Sequence, residues 1–371
     1  MKLKGKVKFI SKDKSSFFDV LKARVDQYFI KNNLSKHANA TMVVKTISML
    51  LIYFTPFALI LIFNPPLWIC LLLWVIMGLG LSGIGMSVMH DANHGAYSSN
   101  KKINFLVGHT LNLLGGYVEN WKMQHNILHH TYTNIVHMDE DINDRLVLRF
   151  SPHTPVKPFH KIQYFYAFGL YGLLTLYWAF FKDFFQFYQF KKSGVYPKSS
   201  TWQDIQTLFK IFSVKVFYFF LFLVAPSLIF NIPFFEVFLG FFIMHFFASV
   251  ILSTTFQLAH TVEETEHPLP TDEGTIENHW AIHQLNTTCN FSRNNKMLSW
   301  YLGGLNYQVE HHLFPRICHV HYPNIADIVK ETAEEFGIPY LENETLKEAL
   351  YSHILTLKRF GKLPDLNEVM A

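Results

Sequence analysis

The chain has 371 residues, half of them hydrophobic, with 16% charged residues and a net charge of +4. Soluble domains carry about 25% charged residues, so this composition excludes an ordinary soluble protein and predicts an integral membrane protein. No stretch of the sequence resembles a nucleic-acid-binding module, so nucleic acid is not an expected partner. No glycine-rich, serine-rich or charged linker divides the chain, and we predict a single domain over residues 1–371.

The N-terminal segment, residues 1–45, is basic, because lysines crowd its first fifteen residues: Lys2, Lys4, Lys6, Lys8, Lys12 and Lys14. Such a segment is typical of a cytoplasmic N-terminus, either in contact with anionic lipid or forming a solvated tail. Apolar and charged residues alternate over 17–25, which predicts a short amphipathic helix. The three cysteines show no paired spacing, which indicates a reducing compartment.

Four apolar segments are long enough to cross about 30 Å of hydrocarbon, namely residues 46–63, 67–89, 211–230 and 237–256. Short turns beginning at Asn64 and Asn231 join them into two hairpins. The basic flank places both termini in the cytoplasm. We therefore predict an all-α integral membrane protein with four transmembrane helices over residues 46–256. A cytoplasmic helical cap follows at 257–371, in which residues 324–351 are charged, periodic and helical in character.

Histidines occur in three clusters at the spacing of metal ligands: His90 and His94; His125, His129 and His130; His311 and His312. Residues four apart lie on one face of a helix, so the paired histidines of a cluster point to one place. A lone histidine is more often a hydrogen-bonded core residue. Imidazole, however, is a common ligand of transition metals, and seven clustered imidazoles exceed what one ion needs. The sequence therefore predicts a site with two metal ions.

Two further apolar segments are not expected to cross the membrane. Residues 103–116 are too few to span it, so we predict a re-entrant or interfacial helix there. Residues 162–181 are long enough, but they are rich in tyrosine and tryptophan, which favour headgroup depth. The third histidine cluster must also reach the site formed by the first two, so an even number of crossings must separate them. We therefore place 162–181 at the membrane interface.

The order of the clusters, His-x-x-x-His, His-x-x-x-His-His and Gln-x-x-His-His, resembles that of the membrane fatty acid desaturases over most of the chain. Gln308, in place of the first histidine of the third cluster, is similar to the front-end, linoleoyl-CoA desaturase-like branch. The resemblance implies a non-haem di-iron centre that uses O2 and two electrons to place a cis double bond in an acyl chain. It also implies that the seven clustered histidines ligate the two iron ions.

Two irons held mainly by nitrogen should need at least eight imidazoles, and His260 is the candidate for the eighth. It lies four residues beyond the last predicted span, at the depth at which His90 follows the second. In the family that this sequence resembles, a histidine just past the last span has this role. The alternative is that His260 only caps its helix. Other side chains that could act around the metals, as weak ligands or hydrogen-bond partners, are Gln308, Gln257, His283 and Asp91. The carboxylates of residues 139–144 could orient imidazoles or form a solvated loop.

The resemblance further implies a fatty acyl substrate, carried by CoA or by a lipid, and a separate electron donor such as ferredoxin or a b-type cytochrome. Family members with a fused b-type haem domain carry a His-Pro-Gly-Gly motif, which this sequence lacks. We expect a multi-pass protein of a bacterial inner membrane, with its active site on the cytoplasmic side.

Two other functions compete with this interpretation. A membrane di-iron hydroxylase or ketolase, acting on an alkyl, sterol or carotenoid substrate, shares the first chemical step. A metal-ion transporter is more remote, because transporters place ionisable ligands inside their spans. In this sequence His245 is the only ionisable residue well inside a predicted span.

Overall fold

Helices dominate the computed structural model, which describes residues 7–11, 16–142, 147–364 and 366. Five of the six N-terminal lysines, and Asp144 of the acidic stretch, lie outside the described residues. The predicted helical class is confirmed, with two small additions among the described residues. These are two parallel pairs of two-residue strands, Lys8–Phe9 with Thr275–Ile276 and Asn290–Phe291 with Glu342–Asn343.

Four helices are long and apolar enough to cross a membrane: Ala40–Phe63, Leu67–His94, Thr201–Leu228 and Phe234–His260. Each overlaps one of the four predicted spans, and the third ends at Leu228, two residues before the predicted end of its span. The shorter α-helices include Phe17–Lys31, Lys101–Gly108, Val118–Lys122, Trp280–Thr287, Lys296–Tyr301, Gln308–Leu313, Tyr322–Glu335 and Leu346–Phe360. Single π-helical stretches lie within the longer helices at Ile84–Val88, Trp178–Lys182 and Phe220–Val224, and a fourth, Met123–His129, follows the short helix Val118–Lys122.

The chain divides into two compact units. The apolar unit comprises Ala40–Met123 and Gly169–Thr254, and the histidine-rich unit comprises Met1–Asn39, Gln124–Phe168 and Thr255–Ala371. The sequence passes between the units four times, so neither unit is a continuous piece of chain.

Close helix packing in the apolar unit depends on glycine. A Cβ atom at Gly80 would lie 2.6 Å from the backbone nitrogen of Tyr53, and one at Gly240 would overlap the indole of Trp74. Small residues allow helix backbones to approach closely where lipid provides no hydrophobic driving force between helices. These two contacts fix which helices of the unit are neighbours.

The segment predicted to lie at the interface is bent. It forms two helices, Pro158–Tyr171 and Leu174–Ser193, which meet at 63°. Within the apolar unit, Ser249 Oγ accepts a hydrogen bond from the backbone nitrogen of Thr175 at 2.9 Å. The Thr175 hydroxyl contacts His245 Nδ1 at 2.8 Å. Backbone groups freed by a broken helix need such partners in an apolar environment, so the polar side chains of the Phe234–His260 helix stabilise the bend.

A buried ion pair in the apolar unit corrects one sequence prediction. His245 is not the only ionisable residue well inside a span, because the third long helix begins at Thr201 and places Lys215 at its middle. Lys215 Nζ lies 2.5 Å from an oxygen of Asp183, and both side chains are buried. The same ammonium donates to the carbonyl oxygens of Gly115 and Trp178. These hydrogen bonds satisfy donors of the buried ammonium, which reduces the cost of burying the two charges.

The core of the histidine-rich unit is built around the predicted amphipathic helix. Phe17, Leu21, Val25 and Phe29 are buried, and they pack with the apolar face of Tyr322–Glu335. The predicted helical stretch 324–351 is not continuous. It breaks after Glu335, because Gly337 adopts a positive φ of 66° and Pro339 cannot donate a helical hydrogen bond. The chain then forms the short strand Glu342–Asn343 before the Leu346–Phe360 helix.

Candidate metal centre

The first histidine cluster lies in the last turn of the Leu67–His94 helix, in the apolar unit. The rings of His90 and His94 have centroids 4.7 Å apart, as expected for positions i and i+4. Gly95 ends the helix in the left-handed conformation, with φ 76°. The carboxylate of Asp91 is buried and its Oδ1 lies 3.7 Å from His90 Nδ1.

The second cluster belongs to the histidine-rich unit: His125 and His129 lie on a π-helical stretch, Met123–His129, and His130 begins the α-helical turn that follows. Such stretches often occur at functional sites. The rings of His125 and His129 stack with centroids 5.2 Å apart. The centroid of His130 lies 4.9 Å from that of His125 and 5.6 Å from that of His129.

The third cluster lies on the short Gln308–Leu313 helix, all six residues of which are buried. The centroid of His311 is 4.6 Å from that of His130, and the centroid of His312 is 4.4 Å from that of His130. The histidine-rich unit therefore brings the second and third clusters together, although their sequence positions are far apart.

His260 joins this group from the end of the Phe234–His260 helix. Its ring centroid is 4.7 Å from that of His129 and 5.0 Å from that of His312. One nitrogen from each of His129, His260 and His312 can be chosen so that all three lie within 4.8 Å of one another. This is the geometry of a set that could hold one metal ion, and it includes the residue predicted as the eighth imidazole.

One further observation indicates that these residues could hold a metal ion. Within the part of the chain that the structure describes, the Nε2 atoms of His129 and His260 are buried and have no hydrogen-bond partner. Buried polar atoms are rarely left unpaired. Two such nitrogens pointing into one group of imidazoles are consistent with ligation of a cation.

In four of the histidines, the Nδ1 atom has a defined partner. His129 Nδ1 lies 3.0 Å from Asp139 Oδ2, and His312 Nδ1 lies 2.8 Å from Gln284 Oε1. Further contacts join His311 Nδ1 to the Tyr322 hydroxyl at 3.2 Å and His260 Nδ1 to the Thr287 carbonyl at 3.3 Å. Partners of this kind fix the tautomer and orientation of a ligating imidazole, and leave Nε2 facing the metal.

Asp139, the partner of His129, is itself held in place by hydrogen bonds. Its side chain is fully buried, and it also accepts hydrogen bonds from the backbone nitrogens of Asn134 and Asp141. Burial lowers the pKa of His129, whereas the Asp139 carboxylate raises it, and the net shift is upward. The carboxylate therefore increases the basicity of the His129 ring, which strengthens it as a ligand.

The remaining predicted residues occupy distinct positions. Gln257 Oε1 accepts a hydrogen bond from the Thr261 hydroxyl at 2.7 Å. His283 Nε2 lies 2.9 Å from the carbonyl oxygen of Thr133, and burial lowers its pKa to about 4. His283 thus supports the chain just after the second cluster. Gln308 is buried, and its Oε1 atom has no hydrogen-bond partner among the described residues.

Sequence reasoning did not single out Asp139, Gln284 or Tyr322. The carboxylates of the acidic stretch were candidates as a group, and nothing in the sequence distinguishes Asp139 from the others. Gln284 follows the predicted His283 directly, and its Oε1 also accepts from the Thr133 hydroxyl at 2.8 Å. No pattern in the sequence marks Tyr322.

Comparisons with known proteins agree with this chemistry. A family model described as fatty acid desaturase matches residues 66–343. The sn-1 linoleoyl-lipid 6-desaturase of Arthrospira platensis is 36% identical over 94% of each chain. The sn-1 linoleoyl-lipid 6-desaturase of Synechocystis sp. is 37% identical over 96% of this chain and 98% of that protein. The acyl-lipid (8-3)-desaturase of Physcomitrium patens is 32% identical over 96% of this chain and 74% of its own length. The chain belongs to the fatty acid desaturase family.

Proposed function

We propose that this desaturase inserts a cis double bond into the acyl chain of a membrane lipid, using O2 and two electrons at a non-haem di-iron site. The observation that carries the proposal is the group of six imidazoles in the histidine-rich unit, in which two buried nitrogens have no hydrogen-bond partner among the residues that the structure describes. We assign eight ligands: His90, His94, His125, His129, His130, His260, His311 and His312.

Imidazole nitrogen suits iron, and a bound di-iron centre would supply the oxidising power needed to remove hydrogen from an unactivated methylene. The side chains of the protein hold and orient that centre. Asp139, Gln284 and Tyr322 fix the rings of three ligands through Nδ1. Asp91, beside His90, has the same role in our proposal. Gln308 adjusts the site without binding iron tightly.

The lipid-linked, front-end character of the substrate is inferred from two features. The relatives from Arthrospira platensis and Synechocystis sp. are named as linoleoyl-lipid 6-desaturases and match almost the full length of this chain. Gln308 occupies the position of the first histidine in the third cluster. We propose a separate electron donor, such as ferredoxin or a b-type cytochrome, that meets the protein on its cytoplasmic side.

We further propose that the four long helices form two membrane-spanning hairpins of a bacterial inner membrane protein. The histidine-rich unit would then form a cytoplasmic cap. The bend between Pro158–Tyr171 and Leu174–Ser193 supports an interfacial position for that segment. Because the sequence passes between the two units four times, we propose that they fold as one domain.

The function is tested by expressing the chain in a bacterium that lacks unsaturated products and feeding it defined fatty acids. New double bonds, located by mass spectrometry, should form only when O2 is supplied. Purified active protein should contain about two irons per chain, since eight imidazoles suit two ions. Active protein with stoichiometric zinc and no iron would contradict the metal assignment, and hydroxylated products would favour a hydroxylase.

The topology gives a separate prediction. Reporter tags inserted at Asn64 and Asn231 should be found outside the cytoplasm, whereas tags at the two termini and at position 150 should be cytoplasmic. The control is a tag at position 200, which is cytoplasmic only if the bent segment does not cross. A position-200 tag on the outer side would show that the segment crosses, and a shared cytoplasmic site would then be excluded.

Gln308→Ala should keep its iron and lose about tenfold in turnover, the lower end of the effect of removing a side chain that supports a ligand. His312→Ala, four residues along the same buried helix, should lose both iron and activity. Iron content and product formation are measured for both variants in parallel. Equal iron loss in the two would make Gln308 a ligand.

A further inference from the structure

Residues 147–182 contain no aspartate or glutamate, although they include Arg149, Lys157, Lys161 and Lys182. Part of this run lies on the surface of the histidine-rich unit. There Val156 is 39% exposed, Phe159 42%, Ile162 54% and Phe165 74%. Large apolar side chains exposed in one contiguous stretch mark an interaction surface.

In addition to Lys157 and Lys161, Lys358 reaches the same surface from the C-terminal helix, Leu346–Phe360. Gln163 Nε2 donates to the Leu357 carbonyl at 2.8 Å and so holds that helix against the start of the bent segment. Lys358 Nζ then lies 5.9 Å from the centroid of the Tyr164 ring. Similarly, Lys157 Nζ lies 5.8 Å from the centroid of the Phe159 ring. We call Val156, Lys157, Phe159, Lys161, Ile162, Phe165 and Lys358 the basic apolar patch.

We propose that the basic apolar patch binds the anionic headgroups of a phospholipid monolayer. Its aromatic and aliphatic side chains are suited to the acyl boundary, and lysines flanking such residues extend their ammonium groups to the phosphates. The charge is complementary to an anionic leaflet, because no carboxylate interrupts the stretch that forms the patch. Each lysine at such a surface contributes about 1 kcal/mol, or about fivefold in binding.

The test measures which lipids the full chain retains. Protein is reconstituted in bilayers of equal parts phosphatidylglycerol and phosphatidylcholine, extracted in a mild detergent, and its bound lipids are counted by mass spectrometry. Wild type should retain phosphatidylglycerol over phosphatidylcholine by at least about fivefold. The variant Lys157→Gln/Lys161→Gln/Lys358→Gln should lose most of that preference.

The matched control is Lys296→Gln/Lys330→Gln/Lys347→Gln, which removes the same charge from accessible lysines elsewhere in the histidine-rich unit and outside the basic N-terminal segment. It should keep the preference, and so should arginine at the three patch positions. If the triple glutamine variant aggregates, Lys161→Gln alone should give a partial loss. Wild type without a preference, or an equal loss in the control, would overturn the proposal. Competition by inorganic phosphate would also overturn it, because phosphate has no acyl chains.

Discussion

His260→Ala is expected to abolish iron retention and desaturation together. His260 contributes one of three nitrogens that lie within 4.8 Å of one another, and its Nε2 has no hydrogen-bond partner among the described residues. Removing it leaves His129 and His312 without the third member of their set. Product formation should fall by more than about 100-fold, which exceeds the loss caused by removing a side chain that only supports a ligand.

His267→Ala is a suitable control, because His267 lies seven residues further along the same unit and is absent from every candidate metal-binding group found among the described residues. It should keep its iron. If His260 only capped its helix, His260→Ala would cost about 1 kcal/mol of stability and would remain active. Full iron occupancy with near-normal product formation in His260→Ala would therefore remove it from the ligand set.

Asp139→Asn is expected to weaken iron binding by about 10- to 100-fold, the usual effect of losing the carboxylate behind a ligating histidine. The amide is a weaker acceptor for His129 Nδ1 and no longer raises the pKa of that ring. The loss should appear as low iron content after purification. Added ferrous iron should restore part of the activity, which a misfolded protein would not allow.

Glu140→Gln is the matched control, since it removes a neighbouring carboxylate of the same acidic stretch. It should have the iron content of the wild type. An Asp139→Asn variant that keeps full iron during dialysis against a chelator would show that the 3.0 Å contact to His129 does not influence the metal.

The four spans could be predicted from apolar length alone, but their ends could not. The third begins at Thr201, ten residues before the apolar run, because Ser200 caps the helix together with Gln203. The second continues through His94 until Gly95 ends it. Helix ends are set by capping groups and backbone conformation. The length of an apolar run indicates only which part of the helix can be buried in lipid or in the protein core.

The ligand candidates could also be predicted, because histidine spacing is local. Their supporting partners could not, because those contacts depend on tertiary structure. His283 was a candidate, yet it is the adjacent Gln284 that contacts His312. Neighbouring positions on a helix point about 100° apart, so only the rotation of the Trp280–Thr287 helix decides between them. Likewise, Asp139 reaches His129 through a turn in which Asn134 has a positive φ of 59°.

The Lys215–Asp183 pair also bears on how the chain enters the bilayer during synthesis. A lysine within a membrane-spanning helix makes insertion less favourable, by up to about 2.5–3.5 kcal/mol when it lies at the bilayer centre. Asp183 precedes Lys215 by 32 residues, so its carboxylate leaves the ribosome first and is present when the lysine arrives at the translocon. We therefore expect the Thr201–Leu228 helix to insert together with the segment that precedes it, and loss of Asp183 to increase the fraction of nascent chains that fail to integrate.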